Sequence, residues 1–337
     1  MPQSAMRGGG RLLVTGASGF LGSEIVRQAA GSGWWVRGLA RRGEIPIEAS
    51  ERVHADITDR VRLQPALDGI DVVIHAAGLA HQFGSTPGDA SRFKAVNVDG
   101  TAAVAHAAAS SGVGHFVLVS SISVYGAAPG PWTEMSRCIP DGLYGESKRG
   151  AELCAAAAVN GTGMRVTTLR MATVYGEEDP GNITTLLRQI DRRRFLWIGS
   201  GANRKSLIYR CDAAKACVAA IEWQGAPIGT CNVATTCCTV RDLVTELGAA
   251  LGRRIPPWHI PVGVALGLSA NVVRVFPSSR MAARAHSTVN KWLADAVCDA
   301  RRFNEITGFH GDVDLREGIR RQVARYRQRH GKTDVDG

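Results

Sequence analysis

The stretch from Arg11 to Ala30 constrains the chain most, because an apolar run, a turn with regularly spaced glycines and an amphipathic run follow one another without a break. Arg11-Leu12-Leu13-Val14-Thr15 lacks polar alternation, the pattern of a parallel strand buried on both faces. Gly16-Ala17-Ser18-Gly19-Phe20-Leu21-Gly22 comes next, then Ser23 to Ala30 with a helical period. Strand, glycine turn and helix in that order are the context in which a GxxGxxG spacing binds a dinucleotide. Gly16 permits the tight turn, Gly19 the close approach of backbone to a pyrophosphate, and Gly22 the packing of helix on strand. Phe20, Leu21 and Gly22 open the helix, whose first N–H groups face the phosphates.

The alternation continues. Trp35 to Ala40 reads as the second strand, and no carboxylate stands at its end to grip ribose hydroxyls. Arg41 and Arg42 follow, a pair suited to bidentate hydrogen bonding of a 2′-phosphate, so NADP(H) is expected, with NAD(H) as the alternative. Arg52 to Ala55 is a short third strand that leads to Asp56 and Ile57 at the adenine edge. Asp71 to His75 is the fourth, closed by Ala76, Ala77 and Gly78, small enough to lie against a cofactor; His75 reads as a packed supporting group. One long helix is expected from Asp89 to Ser111, with Asn97 inside it bonding neighbouring backbone or water near the site. His115 to Ser120 and Val166 to Arg170 are the fifth and sixth strands, and Ser120, Ser121 and Ser123 lie where a parallel sheet places ligands. The fold class is α/β, a doubly wound parallel Rossmann sheet with a smaller C-terminal α/β lobe.

Ahead of an alanine-rich helix, Tyr144 and Lys148 stand four residues apart and share a face. A free phenol titrates near pH ~10, and a neighbouring cation favours the phenolate, so Tyr144 can exchange a proton with a substrate hydroxyl. A shift of about three units takes roughly 4 kcal/mol, more than one lysine supplies, and an oxidised nicotinamide ring would provide the second positive charge.

The 337 residues divide into a dinucleotide-binding domain over 1–177, with 206–233 returning to it, and a substrate lobe over 178–205 and 234–330. The net charge of +10 comes from scattered basic residues, which argues against nucleic acid and for a phosphorylated small substrate. Eight irregularly spaced cysteines without a CxxC pair read as reduced thiols of a cytoplasmic protein with no metal site. The run from Ile260 to Phe276 contains Asn271 and Arg274 and is too short to span a bilayer, so no membrane partner is expected.

Taken together, Thr15 to Gly22, His75-Ala76-Ala77-Gly78, Asn97-Val98-Asp99-Gly100-Thr101, Ser120-Ser121, and Tyr144 with Lys148 resemble the extended short-chain dehydrogenase/reductase family, in its nucleotide-sugar epimerase, dehydratase and reductase branch. The resemblance runs from about Arg11 to Tyr326. It implies a bound nicotinamide cofactor, a nucleotide-diphosphate sugar as substrate, and a homodimer. Tyr144 then resembles the acid/base, Lys148 the residue that bonds the nicotinamide ribose and lowers the tyrosine, and Ser121 the hydroxyl that orients the substrate oxygen. Pro180-Gly181-Asn182 and Asn203-Arg204-Lys205-Ser206 are similar to segments that hold a sugar nucleotide, with Arg204 and Lys205 on the diphosphate and Asn182, Ser123 and Thr173 as further contacts. By alternation only one of the two basic side chains should face the site.

Met171 and Thr173 stand where relatives carry proline and asparagine, and Lys205 where arginine is usual. The acidic pair of the dehydratases is missing after Ser121. The nearest likeness is to bacterial reductases of 4-keto-6-deoxy UDP-sugars, which makes C4 keto reduction the leading expectation. A nucleotide-sugar 4-epimerase is the alternative, and a non-catalytic NADPH sensor the alternative of another class.

Overall fold

The computed structural model describes residues 9–80, 87–126, 130–275, 289–290 and 292–330. Its first strands are β1 (Arg11–Thr15), β2 (Trp35–Ala40), β3 (Glu51–His54), β4 (Val72–His75), β5 (His115–Ser121) and β6 (Arg165–Met171). Then come β7 (Thr173–Tyr175), β8 (Trp197–Ile198), β9 (Arg204–Tyr209), β10 (Thr230–Val233), β11 (Thr236–Thr239) and β12 (His259–Ile260). A seven-stranded sheet in the order β10-β6-β5-β4-β1-β2-β3, parallel throughout, forms the body of the molecule.

Its strands are uninterruptedly apolar because both faces are covered. Leu12 and Val14 enter the core shared with α1 (Gly22–Gly31), while Leu13 between them enters the core on the opposite face. Val72 and Ile74 against Val73, and Val117 and Val119 against Phe116 and Leu118, repeat the division. The second face is covered by α2 (Gly100–Ser110) and α3 (Leu143–Ala158). Each fully buried side chain of this size contributes about 1.5–3 kcal/mol, so the period of two fixes which way each strand faces.

The expected single helix over Asp89–Ser111 is three pieces: α-helix at Pro87–Phe93, a π-helical segment at Lys94–Asp99, then α2. Asn97 lies in the wider segment, and its side chain meets the backbone of Leu79.

A second body is built from α4 (Asn182–Asp191), a three-stranded sheet β11-β9-β7, the pair β12-β8 and the helix Val240–Leu251, with its own core. Two findings differ from the sequence division. Leu207–Tyr209 does not return to the large sheet, because β9 pairs β7 and β11; what returns is α5 (Arg210–Glu222), packed against α1, and β10. Cys298, Phe303 and Phe309, inside the stretch assigned to the lobe, pack in the core with α1 because the short helix Arg301–Thr307 lies against β10. The helix α6 (Val240–Leu251) opens on a Thr239–Asp242 capping box and stops at the left-handed Gly252. Beyond it, α7 spans Val262–Val275 and α8 Leu315–His330. A helix expected over 288–294 includes positions 288 and 291, outside the described residues, as is Phe276 at the end of the apolar run.

Candidate active site

A cleft of about 250 Å³ opens at the C-terminal ends of β1, β2 and β4, where the strand order reverses. The glycine turn, Arg41 and Arg42, Asp56 and Ile57, and Ala76 to Gly78 all line it. Gly16 sits at φ +71°, and a Cβ there would stand 2.8 Å from the Cα and N of Ala77, so the turn and the strand end approach closer than any side chain allows. A Cβ on Gly22 would lie 2.1 Å from the Gly16 carbonyl oxygen, so this glycine packs helix onto turn. Ala17 N–H donates to Leu39 O at 3.0 Å, tying the turn to the end of β2. No side chain caps α1, so its N-terminal dipole is open to an anion. Leu21 packs into the core, and Phe20 lies under the Arg210 guanidinium at 5.2 Å.

Arg41 Nη1 stands 3.6 Å from Asp56 Oδ2, the arginine exposed and the aspartate half-buried. Asp56 is held below the usual carboxylate range, chiefly by the Thr58 N–H and further by the Thr58 hydroxyl and Arg41, against a burial effect that raises it. Carboxylate and guanidinium therefore share the rim where the adenosine ribose of a dinucleotide would rest. The small-residue cradle, uncapped helix and charged rim fit a nicotinamide dinucleotide.

His75, 1% exposed, organises the cleft floor from beneath. Thr101 Oγ1 donates to Asn97 O at 2.6 Å, so it accepts from His75 Nε2 at 3.0 Å; His75 Nδ1 then accepts from Thr15 Oγ1 at 2.7 Å. The ring is thus neutral with its proton on Nε2, and burial together with the Lys148 charge lowers its pKa to about 3. Asn97 accepts from Leu79 N–H at 2.7 Å and donates to Leu79 O at 3.0 Å and Ser147 Oγ at 2.9 Å. It holds the strand end after Gly78 against α3 and is a positioning residue.

On α3, Tyr144 is half-buried and packs edge-on against Phe93, with the Ser121 side chain near enough to its hydroxyl to favour the phenolate. Lys148, one turn on, donates to Val119 O at 2.8 Å; burial lowers its pKa to about 8 while Glu152 pulls the other way. Ser121 Oγ accepts from Ser123 N–H at 3.2 Å, which fixes the strand end above the cleft. The three residues expected to do chemistry therefore meet. The chain's own groups do not make Tyr144 acidic, in keeping with the expectation that one lysine is not enough. The phenol's pKa is raised, because burial outweighs the effect of Ser121.

The expectation for Ser120 is corrected. Strand alternation sends its hydroxyl away from the cleft to Glu152 Oε1 at 2.7 Å. Glu152 also receives Arg170 Nε at 2.9 Å and Nη2 at 2.7 Å, and Arg170 continues through Tyr125 to Asn232. Nothing in the sequence reading singled out this network, although a glutamate in an alanine-rich helix and an arginine inside an apolar strand were its visible signals.

Around the second body, Thr173 is exposed and sits opposite Leu207, three residues along β9 from exposed Arg204. Lys205 is turned inward: its Nζ donates to Ala294 O at 2.6 Å, and burial lowers its pKa to about 8. Of the two, Arg204 alone presents an exposed side chain, and Lys205 is corrected to a tether of the 294–296 segment. Asn182 is exposed at the start of α4, but the helix end is filled by the buried Asp179 carboxylate, which accepts from Gly181 N–H at 2.7 Å and Thr184 N–H at 3.2 Å. That end is not open to a phosphate.

Comparison with known proteins places this arrangement. The N-acetyl-alpha-D-glucosaminyl-diphospho-ditrans,octacis-undecaprenol 4-epimerase of Escherichia coli O157:H7 is 27% identical over 96% of this chain and 97% of its own. The UDP-glucose 4-epimerase of Vibrio cholerae is 27% identical over 75% of this chain and 79% of its own. Among solved structures, MoeE5 in complex with UDP-glucuronic acid and NAD superposes with a TM-score of 0.77 at 26% identity, covering 95% of this chain and 100% of that one. Residues 12–234 match the NAD dependent epimerase/dehydratase family, and the chain belongs to that family, with the extended short-chain dehydrogenase/reductase fold.

Proposed function

We propose that the protein moves a hydride at C4 of a hexose carried on a diphosphate, with Tyr144 as acid/base, and that its net reaction is reduction of a 4-keto sugar nucleotide. The observation that carries this reading is the convergence of Tyr144 and Lys148, one turn apart on α3, on the Ser121 end of β5, where Lys148 Nζ donates to Val119 O at 2.8 Å and the Ser121 side chain adjoins the phenol. A protonated phenol is a donor in waiting: it gives its proton to the sugar oxygen as negative charge develops there, while Ser121 orients that oxygen. The bound dinucleotide supplies the hydride, and when oxidised adds the positive charge that would lower the phenol. Lys148 commits one of its three donors to Val119, which leaves two that would bond the ribose hydroxyls of a bound dinucleotide. Arg204 would meet the diphosphate of the substrate, and the exposed side chains of Thr173 and Asn182 would meet its sugar.

Arg41 and Arg42 on the cleft rim favour NADP(H), the cofactor of a reductase that exchanges it each turnover. A second reading, a 4-epimerase that retains NAD, is favoured by the near full-length likeness to a 4-epimerase and by the NAD in MoeE5. Purified protein incubated with a UDP-4-keto-6-deoxy-hexose should consume NADPH faster than NADH, and Arg41→Ala should erase that preference. Interconversion of UDP-N-acetylglucosamine with its C4 epimer without added reductant would instead establish the epimerase, and inertness toward every diphosphate-linked hexose would refute both.

A further inference from the structure

The helix α7 is apolar and almost bare. Val262, Val264 and Leu268 are 40%, 49% and 62% exposed, and Trp258 just before it is 74% exposed. Nothing comes within 4 Å of where a Cβ would stand on Gly263 or Gly267, and Ala265 is the one buried position among its described side chains. An exposed apolar surface of this kind needs an occupant. Its length of 14 residues gives about 21 Å at ~1.5 Å per residue, short of the ~30 Å hydrocarbon core of a bilayer, and no helix among the described residues is long and apolar enough to cross a membrane.

Charge identifies the occupant. The chain carries 30 acidic residues, yet none lies between Glu246 and Asp295. In sequence that interval holds Arg253, Arg254, Arg274, Arg280, Arg284 and Lys291, of which positions 280, 284 and 291 and the side chain at 274 lie outside the described residues. Of these, Arg253 is paired with Asp191 at 3.1 Å. An apolar helix embedded in a basic stretch free of carboxylates matches a surface with an apolar interior and an anionic face. A tryptophan beside such a helix sits at the boundary between headgroups and acyl chains.

We infer that α7 docks the protein on an anionic lipid bilayer, lying in the interface without spanning it, contrary to the sequence expectation of no membrane partner. The placement bears on the site. The helix leaves the second body at β12, where His259 Nδ1 meets Gly199 O at 2.8 Å. The chain returns at Trp292 and Ala294, whose carbonyls accept from Asn203 Nδ2 at 2.7 and 3.3 Å beside Arg204. Docking therefore holds the rim bearing Arg204 at the bilayer surface, where a diphosphate on a lipid carrier would present its sugar.

Flotation of the full chain with vesicles tests this without any substrate. The protein should bind phosphatidylcholine vesicles containing about one-quarter phosphatidylglycerol, bind pure phosphatidylcholine far less, and release as salt rises. The variant Val264→Asp/Leu268→Asp, altered on one exposed face, should lose about tenfold or more of its vesicle affinity while keeping its melting temperature and its affinity for NADPH or NAD. Three results would overturn the inference: no wild-type binding to anionic vesicles, equal binding to neutral ones, or a variant that binds as the wild type does. A wild-type dimer that the variant converts to monomer, with no vesicle binding by either, would give the face to a second copy and overturn it as well.

Discussion

Glu152→Gln tests how the site is held. Glu152 and Arg170 are 5% and 4% exposed, and the carboxylate receives both ends of the guanidinium besides Ser120 and, at 3.0 Å, Arg149. These contacts join α3, which carries Tyr144 and Lys148, to β5, which ends at Ser121, and to β6. Glutamine keeps the volume and removes the charge, so Arg170 stays buried with Tyr125 as its remaining strong partner. Breaking one side of such a pair costs about 3–5 kcal/mol. With about 2.1 cal/mol/K per residue of unfolding entropy over 337 residues, that is a fall in Tm of roughly 4–7 °C. Calorimetry measures it directly, with chemical denaturation as the check. Replacing both members with Glu152→Leu/Arg170→Met should recover most of the loss, because the penalty lies in the unpaired charge. A single variant within about 1 kcal/mol of wild type would refute the reasoning, since the pair would then behave as a solvated one.

Two further outcomes follow from the cleft floor. His75 is neutral when folded, with a pKa of about 3 against an ordinary 6.5. Below 6.5 the unfolded chain binds the extra proton, so its contribution is lost as pH falls toward 3, at up to about 1.4 kcal/mol per unit; urea titrations from pH 7 to 5 should show His75→Gln with a shallower slope by close to one proton. Gly22→Ala sets a Cβ 2.1 Å from a backbone oxygen that cannot swing away, and should lower stability by about 1–3 kcal/mol and abolish dinucleotide binding measured by calorimetry, whereas Gly31→Ala, with nothing within 4 Å, should stabilise by about 0.5–1 kcal/mol.

The doubly wound sheet was readable because burial on two faces leaves runs such as Leu12-Leu13-Val14 and Phe116 to Val119 unbroken by polar residues. The turn from Gly16 to Gly22 was readable because close backbone contact admits no Cβ at Gly16 or Gly22. The small sheets were not, since β8 is two residues long and β11 is Thr-Cys-Cys-Thr, with no periodic signal over that length. The π-helical segment shifts a hydrogen-bond register and leaves no mark on composition. Ser120 is different: the period of two already sent it and Ser121 to opposite faces, and the sequence reading placed both in the cleft. The direction of the Tyr144 shift needed knowledge of burial, which a four-residue spacing with lysine does not carry.

The account depends above all on Tyr144 delivering a proton to the oxygen on C4. Single-turnover mixing of the NADPH-loaded protein, deuterated at nicotinamide C4, with a UDP-4-keto-6-deoxy-hexose reads this out by NMR. Deuterium should appear at sugar C4, and Tyr144→Phe should bind the dinucleotide as tightly while slowing the transfer by about 10²–10⁴-fold. Deuterium at another carbon, or transfer at the wild-type rate by the phenylalanine variant, would contradict it.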